Sequence, residues 1–118
     1  MFIEAIISTL VDSRDLEATR AGVEERGLSA DLEARAWARM GHPIITARYL
    51  RLSSSLSEPD KTKILAMAFD NYGRKFAEAA ADYNSRGGFI NTEDRYSKLA
   101  VEAFSKAREL RQSLEIRH

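Results

Sequence analysis

The sequence predicts an all-α protein in which short N-terminal helices pack on a long C-terminal antiparallel helical hairpin, as one domain over residues 1–118. Three observations carry this. Apolar residues recur at steps of three and four along most of the chain, the spacing that gathers them on one helix face. Helix-starting and helix-ending residues interrupt that pattern at intervals suited to separate helices. No stretch alternates apolar and polar residues for long enough to specify a strand.

In chain order, a first short helix is expected over Phe2–Val11, a stretch that holds Phe2, Ile3, Ile6, Ile7, Leu10 and Val11. A second is expected over Arg14–Arg26, capped by Asp12 or Ser13, and a third over Ala30–Met40, capped by Ser29. Gly27 and then Gly41-His42-Pro43 separate these, and a fourth helix is expected over Ile44–Ser55.

The fifth helix has the clearest start. Ser57-Glu58-Pro59-Asp60 supplies a capping serine, a first-turn proline and an acid three residues on. Leu65, Ala68, Phe69, Tyr72, Phe76, Ala79, Ala80 and Tyr83 follow at helical spacing, ending at Asn84-Ser85-Arg86-Gly87-Gly88. Gly73 sits mid-helix, where it costs roughly 1 kcal/mol relative to alanine, either to allow close packing or because it is tolerated. The sixth helix is expected from Thr92, as its cap, to Leu114, with Tyr96, Leu99, Ala100, Ala103, Phe104, Ala107 and Leu110 as its stripe. A loop at Asn84–Asn91 would fold the two arms back on each other.

Composition narrows the function. The chain has 18 basic and 18 acidic residues, and this even balance disfavours nucleic acid as a partner. It also gives little mutual repulsion between copies, so a homodimer is one expectation. With no cysteine there are no disulfides, thiolate metal sites or thiol nucleophiles. The apolar stretch Met1–Val11 carries Glu4 where a signal peptide carries Lys or Arg, and no run approaches the ~18–20 apolar residues of a membrane span. The expected location is cytoplasmic, with no membrane partner.

The charges are unevenly spread. Met1–Glu33 holds eight acids and three bases, whereas Ala34–Ser57 holds four arginines (Arg35, Arg39, Arg48, Arg51) and no acid. Those arginines, with Trp37 and Tyr49, read either as a basic aromatic patch for an acidic partner or as ion-pair partners of the acid-rich helices around a core tryptophan.

The helical pattern resembles the tetratricopeptide repeat, a helix–turn–helix unit that stacks into a binding groove. Phe76, Ala79, Ala80 and Tyr83 fall at the spacing of its first-helix signature, and Ala100, Phe104 and Ala107 at that of its second. Ala34, Trp37, Gly41 and Ala47 resemble a second, degenerate copy. The sequence departs from the repeat where Ala79 and Ala80 replace a leucine and a glycine, and in a longer loop at Asn84–Asn91. The resemblance implies a protein-binding surface.

The catalytic inventory is thin. The only histidines are His42, before a proline, and the final His118; Glu115 and His118 have ligand spacing but no second such pair. Gly87-Gly88 lacks a phosphate-loop signature. No cofactor and no metal are expected, and no enzymatic activity. The expected function is that of a protein-interaction module, such as an adaptor, chaperone or small regulatory partner. It would bind a peptide or helix beside the hairpin through Trp37, Tyr49, Tyr72 and Phe76 as apolar contacts and Arg48 and Arg51 as charged ones. The alternative is a structural or self-assembling subunit that dimerises through the C-terminal helices.

Overall fold

A computed structural model of the chain describes residues 2–85 and 90–116. Among the described residues it forms six helices and no strand: α1 (Phe2–Leu10), α2 (Ser13–Arg26), α3 (Ala30–Arg39), α4 (Pro43–Leu52), α5 (Glu58–Ser85) and α6 (Ile90–Ile116).

The helix starts follow the expected chemistry. The Asp12 carboxylate accepts the Arg14 N–H at 2.8 Å, Ser29 Oγ accepts that of Leu32 at 3.3 Å, and Ser57 Oγ accepts that of Asp60 at 3.3 Å. Gly27 ends α2 in the left-handed region, at φ 63°, and Pro43 opens α4 at its first turn. Thr92 is a correction. Because α6 begins at Ile90, Thr92 lies within the helix and not at its start. The arms also run further than expected, to Ser85 and from Ile90, which shortens the expected loop; Gly87 and Gly88 lie outside the described residues.

α5 and α6 form the hairpin. Asp70 pairs with Arg111, Gly73 meets Phe104, and the Phe76 and Tyr83 rings both meet Tyr96. Partners on α6 fall in number as those on α5 rise, so the arms are antiparallel. Small residues bring them close: Ala80, Ala100, Ala103 and Ala107 are all buried. A Cβ built on Gly73 would stand 3.0 Å from the Phe104 ring and 3.2 Å from the Ala100 carbonyl, so this glycine permits the approach.

The N-terminal helices pack on one end of the hairpin. α3 and α4 pair, both lie against α5, and α1 lies on α4 and α5. The core gathers Ile3 and Ile7 of α1, Ala34 and Ala38 of α3, Ala47, Tyr49 and Leu50 of α4, Ile64, Leu65 and Ala68 of α5, and Leu110 of α6. All its hairpin members come from the first half of α5 and the last turns of α6. With 28 residues at ~1.5 Å each, α5 is about 42 Å long and runs well past this core. α2 has no buried residue and rests on α4, where Arg48 pairs with Asp15 at 3.0 Å.

Two side-chain clasps fix the joints. Ser53 and Ser55 each donate a hydroxyl to Asp31, tying the α4–α5 connection to the first turn of α3. These bonds hold the Asp31 carboxyl below its ordinary value of 3.8, with smaller help from the charges of Arg35 and Lys61. At the other end of α3, Asn71 Nδ2 donates to the Ala38 carbonyl at 3.0 Å and Lys75 Nζ to that of Met40 at 2.8 Å. The last carbonyls of α3 thus find donors on α5, and the lysine charge suits a helix C-terminus.

Candidate functional site

The site follows from where α1 stops. α1 lies in a trough between α4 and the hairpin, with Ile3 and Ile7 at 1% and 0% exposure and Glu4 paired to the buried Lys61 at 3.2 Å. At Val11-Asp12 the chain leaves the trough, because Asp12 starts α2, which departs over α4. The trough itself continues along α5.

Its open part has two connected sections that share Leu10, Phe69 and Tyr72. The section toward α6, about 470 Å³, is lined further by Leu99, Val101 and Ala103, with Glu102, Ser105, Lys106 and Glu109 along its rim. The section toward α4, about 340 Å³, adds His42, Pro43, Ile44 and Ile45. Past Tyr72 lies a third hollow of about 310 Å³, lined by Gly41, His42, Lys75, Phe76, Ala79 and Tyr96. Tyr72 borders all three.

Each wall has a local cause. On α5, the steps Leu65, Phe69, Tyr72, Phe76 keep one apolar face turned along the trough; α1 covers it near Leu65, and among the described residues α1 reaches no further along it than Leu10. On α6, Leu99, Glu102, Lys106 and Glu109 recur at steps of three and four beside the buried alanines. On the α4 side the wall depends on the Met40–His42 turn. Gly41 holds φ 74° there, and a Cβ on it would stand 2.9 Å from the α5 backbone at Asn71 and Tyr72, so only glycine seats the turn this close. The Asn71 and Lys75 bonds hold the same turn from α5.

The aromatic rings form a chain along the hairpin. Tyr72 meets Phe76 edge-on at 4.7 Å, Phe76 meets Tyr96 at 5.6 Å, and Tyr96 meets Tyr83 at 5.4 Å. Packed edge-on or tilted against one another, they stiffen the wall rather than present flat platforms for stacked bases. Ile44 and Val101, at 51% and 63% exposure, stand on opposite sides of the opening. Both are large apolar side chains left in water at the edge of the trough.

Of the residues expected to contact a partner, Tyr72 and Phe76 line this trough. Tyr49 is 8% exposed and belongs to the core, which removes it from any open surface. Arg48 pins α2 through Asp15, so this arginine follows the ion-pair alternative. Trp37 is half-buried; its indole N–H donates to Glu33 at 3.2 Å and its ring meets His42 edge-on at 5.3 Å, so it backs the trough wall from behind. Arg51 is exposed on the last turn of α4 and lines none of the three hollows. Leu10, Phe69 and Leu99 are legible from sequence only as members of apolar stripes, and Ile44, Val101 and Lys75 carry no expectation of contact there. Val101 did carry a signal: it is a large aliphatic residue off the buried stripe of its own helix.

No family model matches the sequence, and no curated protein or solved structure is significantly similar to it. The chemistry of the site therefore rests on the residues themselves. Among the described residues no three His, Cys, Asp or Glu side chains converge as a metal site requires, and no helix is long and apolar enough to cross a membrane. The trough is apolar with charged residues at its edge, a lining that can remove apolar groups from water.

Proposed function

We propose that this chain is a cytoplasmic protein-interaction module that receives a segment of another protein in the trough beyond Leu10. The observation that carries the reading is the continuous apolar lining from Leu10 through Phe69 and Tyr72 to Leu99 and Val101, open on the outer side and rimmed by charge. Bound segments gain most from a desolvated apolar centre with a polar rim, and aromatic residues such as Tyr72 are common anchors. The stacking of α5 on the α3/α4 pair supports the tetratricopeptide-like reading, since helical repeats present their grooves in this way.

Site-specific photocrosslinking in the native host tests it. A photoreactive residue at Val101 should trap a discrete partner that one placed at Glu25, on the outer face of α2, does not. Equal labelling from both positions would overturn the reading.

Self-assembly through the hairpin is the second reading, favoured by the exposure of Val101 on α6 and the zero net charge. It requires sedimentation that shifts with concentration and ceases to shift in Val101→Glu.

A further inference from the structure

We infer that the segment received is an amphipathic α-helix with aliphatic residues at i, i+3 or i+4, and i+7 and an acidic residue on one flank, laid end to end with α1. This rests on the trough being a binding surface and adds what it binds.

Three observations lead there. First, the open trough continues a seat that the chain already fills with such a helix. α1 presents Ile3, Ile6, Ile7 and Leu10 at that spacing and buries Ile3 and Ile7 completely or nearly so, against the same face of α5 that passes on to Phe69 and Tyr72. From Leu99 to Glu109 the α6 wall spans about 15 Å, close to the ~13 Å of α1, so the vacant part accepts a helix of similar length.

Second, backbone chemistry favours a helix over an extended peptide. An extended ligand leaves its N–H and C=O groups to be paired by the receptor, usually along a strand edge. This receptor has no strand among its described residues, and its trough floor is aliphatic and aromatic. A helix pairs its own backbone and brings only side chains to the floor.

Third, the charges repeat. Lys61 on α5 fixes α1 by pairing with Glu4. Lys75 lies fourteen residues on, about 21 Å along α5 and turned by only ~40°, and it lines the third hollow, which adjoins the open trough at Tyr72. Its Nζ donates to the Met40 carbonyl, yet an ammonium group has three donors and can take a carboxylate as well. An acid on the incoming helix would meet Lys75 as Glu4 meets Lys61.

The test is to pan short random displayed peptides against the full chain, with the Val101→Glu chain as counter-selection. Val101 is 63% exposed, so that variant should melt as the wild type does. Expected are clones with the aliphatic spacing and a flanking acid, helical on binding, whose affinity falls on the order of tenfold against Tyr72→Ala and measurably against Lys75→Gln. Clones that depend on Val101 but carry extended or proline-rich sequences would overturn the helix and leave the trough reading standing. If no clone depends on Val101, both fall. A wild type that self-associates, and a Val101→Glu chain that does not, would make the occupant a second copy and overturn this inference.

Discussion

Replacing Gly73 by alanine sets two effects of similar size against each other. In an isolated helix the change should stabilise by about 1 kcal/mol, because alanine gives up less backbone freedom on folding. Here the new methyl would lie 3.0 and 3.1 Å from two carbons of the Phe104 ring and 3.2 Å from the Ala100 carbonyl. The ring is only half-buried and can move, but the carbonyl belongs to the α6 backbone, so the arms must part to relieve that contact. Such overpacking costs about 1–3 kcal/mol, which leaves a net loss on the order of 1 kcal/mol. Equilibrium urea denaturation of wild type, Gly73→Ala, Phe104→Ala and the double variant measures it. The double variant should be more stable than the sum of the single losses implies, since removing the ring relieves half of the clash. An alanine variant more stable than wild type by about 1 kcal/mol would refute the close approach of α5 and α6 at this point.

Three further outcomes follow from the same structure. Ile7→Ala should destabilise by about 2–5 kcal/mol in urea melts, because it opens a cavity beneath a fully buried side chain; a loss below about 1 kcal/mol would mean that α1 is not seated as described. Gly41→Ala should lower stability by more than about 1 kcal/mol, from its positive φ and from the 2.9 Å contacts with the α5 backbone, and an unchanged melt would dismiss the turn as a fixed wall. The Asp31 clasp gives a pH dependence of defined sign. Its carboxyl titrates lower in the folded chain than the ordinary 3.8, so its contribution is present above that value and is lost as pH falls through the lower folded one. Acid titration of Asp31→Asn should accordingly show a shallower loss of stability than wild type, and equal slopes would remove the clasp.

What could be read from the sequence was local. Asp12, Ser29, Ser57 and Gly27 mark helix ends through bonds to residues at most four positions away, and those bonds are present. The hairpin stripes were legible for the same reason, since each depends only on spacing within one helix. Thr92 shows the limit: it has cap chemistry, but α6 starts ahead of it, and a capping residue does not compel a boundary. The trough was less legible because it depends on where α1 ends relative to α5, a relation across more than fifty residues of sequence. Asn71 and Lys75 look like ordinary polar positions on α5 until α3 brings its last carbonyls to them. Tyr49 looks like a contact residue until α1 and α5 enclose α4.

The central claim is that the trough beyond Leu10 is the working surface. It competes with other exposed apolar side chains, among them Leu32 of α3 and Met40 just beyond that helix, at 69% and 49% exposure. Intermolecular NOEs between a selected peptide and the methyl groups of the full chain distinguish them most directly. A peptide seated in the trough gives contacts to Leu10, Ile44 and Val101 and none to Leu32 or Met40. Contacts confined to Leu32 and Met40 would contradict that claim.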